Sequence, residues 1–153
     1  MTASDDQMEV YKQHRNAQEK YVYFLLAAAG AAIGFAVNQT KELSLGYSQL
    51  PLAVAVILWG FSFYFGCRHI TYVECVLYSN AELLKVKAGN HPKTGTNPQL
   101  IEIAIEGISS AIAQNVEDGA WYGRWQFRCL IFGAVFYLAW HVYEMWMRGL
   151  VNG

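Results

Sequence analysis

Charge is scarce in this chain, and neither sign dominates it. Eleven Lys and Arg stand against twelve Asp and Glu, a formal net charge of −1 over 153 residues. Nucleic-acid binding needs a concentrated basic face to displace counterions from phosphates, and no such face is present, so that partner is excluded. Cysteine is equally scarce. Cys67, Cys75 and Cys129 lack CxxC spacing and sit in or beside apolar stretches, which marks them as small core residues rather than disulfides or metal ligands. No phosphate-binding glycine loop, nucleophile elbow or zinc spacing occurs, and Gly95 in KTGTN has no companion glycines. We therefore expect no catalytic residue, metal or cofactor. The hydrophilic first twenty residues also lack the short basic start and small-residue cleavage site of a secretory signal, so the first apolar run is expected to remain in the mature protein.

Apolar residues are abundant. At 54% hydrophobic and 15% charged, the composition falls between a soluble domain and a pure membrane bundle, and one compact unit across residues 1–153 is expected. The run Tyr21 to Asn38 carries no charge and reads as a membrane-spanning helix. Leu50 to Cys67 is a second such run, with Pro51 tolerable in its first turn, and Cys129 to Met147 is a third. Spans of about 21–38, 50–67 and 129–147 follow, the first two near the short end of what a hydrocarbon core of about 30 Å requires. The middle of the first span is nearly all Ala and Gly. Gly30 and Gly34 form a GxxxG pair, and Ala28, Ala32 and Ala36 repeat small residues on a neighbouring stripe. Little hydrophobic force drives helices together in lipid, so such faces work through close backbone approach, either to the chain's own spans or to a second copy.

Outside the spans the pattern is amphipathic. Ser4 and Gln7 have capping-box spacing, and Val10, His14, Ala17 and Tyr21 recur at steps of four, three and four, so a helix over about 4–20 is expected to pack that face inward. After Arg68 the second span continues without a break to about 89, with Ile70, Val73, Leu77, Ala81, Leu84 and Ala88 as its buried face. Gly89 is placed as a C′ residue, and Pro92 cannot continue the helix. Asn97 as cap with Pro98 at the first position opens a helix over about 97–118, whose Ile101, Ile105, Ile108 and Ile112 form a seam facing back. These two pieces each come to about 30 Å at 1.5 Å per residue and match as an antiparallel hairpin. Gly119 and Gly123 are expected to loosen the turns that follow.

Aromatic and basic residues then mark two membrane surfaces. Trp121, Trp125, Arg124 and Arg128 before the third span, and Trp140 and Trp146 near its end, are read as interface anchors. Lys12, Arg15, Lys20, Arg68, Lys85, Lys87, Lys93, Arg124 and Arg128, nine of the eleven basic residues, fall on one side. The positive-inside rule puts that side, with the N-terminus and the hairpin, in the cytoplasm of a plasma (inner) membrane protein. Within the spans, His141 and Glu144 share a helix face, and ionisable groups at such depth usually face a bundle interior or a water-filled cavity. Proton or ion handling is one reading. The other is that Glu144 pairs with Arg148 at i,i+4 while Tyr or Ser satisfies His141. A metal site at His141 and Glu144 lacks the second motif that a bundle site requires, and Glu102 and Glu106 have no accompanying His.

The expected architecture is an all-α membrane protein of three transmembrane helices, with a cytoplasmic bundle made by the N-terminal helix and the long hairpin between spans two and three. The expected function is a homo-oligomeric, pore- or channel-like assembly in the lipid bilayer with a helical gating or signal-receiving region. The alternative is a membrane-anchored adaptor that docks another protein through the hairpin. A small enzyme or transporter would need a polar cavity among the spans.

Overall fold

A computed structural model describes residues 3–40 and 46–151, with side chains from 9 onward except 11, 14 and 151. The Ser4 and Gln7 side chains, His14 and Lys41 fall outside what is described. Three long helices account for nearly all of it: α1 (Ala3–Gln39), α2 (Leu50–Lys87) and α3 (Pro98–Val151), with a short 3-10 turn over Tyr47–Gln49 leading into α2. The described residues contain no strand. All three helices contain stretches long and apolar enough to cross a membrane.

The helix ends follow from local chemistry. Pro51 and Pro98 sit in first turns, where a missing N–H leaves no intrahelical bond unmade. At the end of α2, Gly89 takes φ +69°, its N–H bonds to Val86 O, and the Asn90 N–H reaches Lys85 O, both at 3.0 Å. This is a Schellman closure with glycine at C′, where a side chain would be strained. Asn97 Oδ1 accepts the Gln99 N–H at 3.1 Å and so caps α3. From Pro98 onward α3 contains no proline, and it runs unbroken through Gly119 and Gly123. The expected separation into a helix ending near 118 and a span starting at 129 is thus replaced by one continuous helix. Those glycines do not loosen it, because each is covered by a side chain from α2.

The chain gathers into two compact units, Met1–Gly66 with Trp125–Gly153, and Cys67–Arg124. In the first, α1 packs with the opening half of α2 and the closing half of α3. Ala36, Leu52, Ala55, Trp59 and Trp140 form its buried cluster, flanked by Ala32, Ile33, Val56, Leu130 and Tyr137. Close approach rests on two glycines. A Cβ at Gly133 would lie 2.5 Å from Trp59 Nε1, and one at Gly66 would lie 2.5 Å from Gln126 Nε2 and 2.6 Å from Leu26 Cδ2. Only a bare backbone admits these side chains.

In the second unit, α2 and α3 form the antiparallel hairpin. Ile101, Ile105, Ile108 and Ile112 are half-buried along it, while Glu102, Glu106, Ser109 and Glu117 are exposed. On α2 the inward face differs from the expected stripe. Of that stripe Ile70 and Leu77 are half-buried, but Val73, Ala81, Leu84 and Ala88 are exposed, whereas His69, Tyr72, Val76, Leu83 and Val86 turn inward. The glycines of α3 decide this: a Cβ at Gly119 would meet Tyr72 Cβ at 3.2 Å, and one at Gly123 would meet His69 Nδ1 at 3.3 Å. At that end of the hairpin the helices approach at glycine and His69 and Tyr72 face in, while further along Val76, Leu83 and Val86 take the inward face.

Two further expectations are corrected. Every described side chain from Glu9 to Tyr21 is exposed, Val10, Ala17 and Tyr21 included, so that part of α1 buries no face within its own unit. Of the cysteines only Cys129 is buried, while Cys67 and Cys75 are exposed, and all three are free thiols.

Adding a methyl group separates tight glycines from open ones. Gly66→Ala and Gly133→Ala should each destabilise the first unit by about 1–3 kcal/mol through overpacking. Within the single chain Gly30→Ala meets nothing within 4 Å, so in micelles dilute enough to dissociate copies it should be neutral or stabilising by up to about 1 kcal/mol, as for an ordinary helical Gly→Ala change. Reversible unfolding of the three variants in mixed micelles, compared with the unmodified chain, checks the ranking.

Candidate functional site

Buried polar groups are the chemically informative feature of the first unit, and the residue that stands out is Gln126. It is 1% exposed, and neither its Nε2 nor its Oε1 has a hydrogen-bond partner among the described residues. Its own backbone carbonyl does better, accepting the Ser62 hydroxyl at 2.8 Å. Trp59 Nε1 similarly donates to Leu130 O at 3.2 Å. Hydroxyl and indole donors on α2 therefore bond to carbonyls of α3 that are already engaged in the helix, which adds polar attachment without breaking the backbone ladder. A buried amide left unpaired costs about 1–3 kcal/mol, so Gln126 weakens the packing it belongs to. It went unnoticed in the sequence because a lone Gln among Trp, Phe and Arg has no periodic signal.

A second polar group lies among residues of α1, α2 and α3 within the same unit. The Tyr137 hydroxyl donates to Gln39 Oε1 at 2.7 Å, and the ring of Tyr137 packs edge-on to Phe35 and tilted against Trp59. His141 stacks on Tyr137 with centroids 6.3 Å apart and planes 10° from parallel, and it is exposed. Glu144 is half-buried, 3.5 Å from Gln49 Nε2 and 3.7 Å from Arg148 Nε. His141 and Glu144 thus sit near each other along α3, but no hydrogen bond or ion pair joins them among the described residues. Glu144 has the Arg148 partner, and His141 lies against its own helix's Tyr137 outside the core. No group of three His, Cys, Asp or Glu able to hold a metal occurs among the described residues.

The other singled-out residues divide by face. Ala36 is buried, and Ala28 and Ala32 are half-buried on the side of α1 that packs within the chain. Gly30 and Gly34 are exposed, and a Cβ at either would meet nothing within 4 Å. Trp121, Trp125, Arg124, Arg128 and Trp146 are exposed, with the Arg128 guanidinium 5.4 Å from the Trp125 ring centroid. Trp140 is not on an outer belt: it is a core residue at 4% exposure, and its indole N–H is buried without a partner. Trp146 instead lines a shallow outward concavity of about 540 Å³ with Leu138, Ala139, Val142 and Tyr143.

In the second unit the polar chemistry is at the hairpin's interior face and its tip. His69 Nδ1 lies 2.6 Å from Gly119 O, a geometry that requires the proton on Nδ1. Arg68 lies over the stacked rings of Tyr72 and Tyr122, 5.3 and 5.6 Å from their centroids. At the tip, Glu82 holds Lys85 Nζ at 2.6 Å and His91 Nε2 at 3.4 Å. Hydrogen bonding to Lys85 lowers the Glu82 pKa and raises that of Lys85. Compared with known proteins, the chain matches no family model, and no curated protein or solved structure matches it significantly.

Two outcomes follow from these groups. Gln126→Met keeps volume and removes the unpaired amide, so it should raise stability by about 1–2 kcal/mol in the same micellar unfolding measurement. For the tip, the depressed Glu82 pKa contributes stability above its ordinary value of 4.5 that is lost as pH falls through the folded value. The raised Lys85 pKa contributes below 10.5 and fades as pH rises through its folded value. The difference in thermal midpoint between the unmodified chain and Glu82→Gln should therefore be largest between these limits, small as for any exposed pair, and vanish in acid.

Proposed function

We propose that the chain is a small integral membrane protein of three spans that associates with copies of itself into a pore- or channel-like assembly. In this reading it lies in a plasma (inner) membrane with the N-terminus and the hairpin in the cytoplasm, where the hairpin gates the assembly or receives a signal. Membrane insertion is supported by how little of the apolar surface the fold consumes. In the most apolar stretch of α1, α2 and α3 only 22%, 28% and 17% is buried, and Phe24, Phe35, Ile57, Phe132 and Leu138 point outward. In water that surface would be a large aggregation liability, whereas in hydrocarbon it is solvated.

The observation that carries self-association is the divided face of α1. Its alanine side is spent on α2 and α3, while Gly30 and Gly34 remain bare. A bare glycine pair inside a span costs helix propensity and returns close packing only when another helix lies on it. A second copy supplies that helix. Exposed Gln39 and His141, with the hydroxyl of half-buried Tyr137 between them, then offer polar and ionisable groups at the edge of each subunit's core, where an intersubunit path would need them.

A docking role for the hairpin is the second reading, favoured by Tyr78, Leu84, Ile103 and Val116, which the hairpin leaves exposed. A heterologous chain binding there would make the protein an adaptor rather than a pore.

Gly30→Leu with Gly34→Leu distinguishes these roles, since both positions are exposed and a Cβ at either meets nothing within 4 Å. In lipid nanodiscs the unmodified protein should be oligomeric by native mass spectrometry and conduct in planar bilayers, and the double variant should lose both properties while keeping its helical spectrum. A monomeric, non-conducting unmodified protein that co-purifies with a different chain would reject the pore in favour of the adaptor.

A further inference from the structure

We propose that Arg68, held by Tyr72 and Tyr122, is the centre of a binding site for a phosphate group. The inference begins with position. Leu50 to Cys67 contains no Asp, Glu, Lys or Arg, and Arg68 is the first charge after that run. Such a place on a helix is expensive to charge and usually paired. Here no Asp or Glu lies within ion-pair distance of the guanidinium among the described residues.

What surrounds Arg68 instead is aromatic and neutral. Tyr72 and Tyr122 stack on each other with centroids 5.3 Å apart and planes 22° from parallel, and the guanidinium lies within 5.6 Å of both rings. Nη2 donates to the Tyr72 hydroxyl at 3.4 Å, and the two hydroxyls together hold the group firmly protonated, Tyr122 contributing more. The side chain is half-buried, and its Nε–H is fully covered with no acceptor.

A guanidinium so held is pre-oriented, but no carboxylate compensates its charge among the described residues, and since Nε–H is covered, the Nη edge of the half-buried side chain is what a ligand would meet. Phenols cannot neutralise it, because near pH 7 they carry no charge. A tetrahedral oxyanion can. The planar guanidinium gives paired N–H bonds to two phosphate oxygens, which a lysine ammonium cannot match in geometry, and the Tyr72 hydroxyl, which accepts from Nη2, keeps its own proton to donate beside it. Ring stacking fixes the plane beforehand, so less side-chain freedom is lost on binding.

Two sources carry this chemistry: the phosphodiester of a phospholipid headgroup, and free inorganic phosphate. The lipid source rests on the membrane reading above, since the end of a charge-free run is where headgroups would lie. The soluble source does not depend on it.

Calorimetric titration of the full chain in a zwitterion-free, non-ionic detergent tests the site with three probes: dihexanoyl phosphatidylglycerol, dihexanoyl glycerol and inorganic phosphate. Saturable binding of at least one phosphate-bearing probe and none of dihexanoyl glycerol is expected. Arg68→Gln should weaken it about tenfold or more, Arg68→Lys should fall between because it keeps charge and loses the fork, and Lys87→Gln should leave it unchanged. Should Arg68→Gln unfold, the Arg68→Lys comparison stands alone, and equal affinity with the unmodified chain would then overturn the proposal. Binding of the lipid alone assigns a headgroup. Binding of inorganic phosphate as tight as that of the lipid assigns a soluble ligand, and keeps the site even if membrane insertion is disproved. No saturable binding of either phosphate probe, or equal binding by Arg68→Gln, overturns it.

Discussion

Side chains seated on bare backbone hold this protein together. Trp59 occupies the space over Gly133, Gln126 that over Gly66, and His69 that over Gly119 and Gly123. In each of the two units the facing helices of α2 and α3 therefore come closer than two ordinary side-chain surfaces would allow, and dispersion contacts accumulate along the approach. Polar tips reinforce the same contacts. Trp59, Ser62 and His69 all reach carbonyl oxygens of α3, at Leu130, Gln126 and Gly119. A hydrogen bond to a carbonyl already in the helix ladder satisfies the side chain without unravelling the helix.

That mode of packing explains which residues the fold leaves outside. Where Gly119 and Gly123 set the contact, the inward face of α2 is His69 and Tyr72; further along it is aliphatic, with Val76, Leu83 and Val86, while Val73 and Leu84 are turned outward. Because α1 packs through alanines, its glycines are turned outward as well. The large apolar surface that remains is what a bilayer or partner chains would cover. Gln126 and the Trp140 indole run the other way, as polar atoms enclosed without partners. They set an energetic cost inside the first unit that the surrounding packing must exceed.

Much of the helix layout was legible because it is written in local signals. Pro51, Gly89, Asn97 and Pro98 mark ends through φ, capping and missing donors, and charge-free runs of about eighteen residues mark the apolar helices. The isoleucine seam was legible for the same reason, since 101, 105, 108 and 112 fall on one side of any helix. The N-terminal stripe of Val10, Ala17 and Tyr21 was equally periodic and yet is exposed, so periodicity shows that a face exists and not that something covers it. The candidate sites were less legible. His141 and Glu144 were found by their rarity in an apolar run, but the residues that enclose charge or polarity, Arg68 with its two tyrosines and Gln126 over Gly66, are assembled from separate helices.

By itself the sequence determined the helical segments, where two of the helices begin and one of them ends, and how much apolar surface they carry, because each of these depends on neighbours within a few turns; that the pieces over about 97–118 and 129–147 are one helix it did not determine. Tertiary structure alone decided that Gly119 and Gly123 are seats for His69 rather than weak points, that Trp140 is core, and that Gly30 and Gly34 are bare. The reason is that a glycine's role is set by what lies opposite it, and what lies opposite is contributed by a residue some fifty or more positions away whose rotation about its own helix no local pattern records.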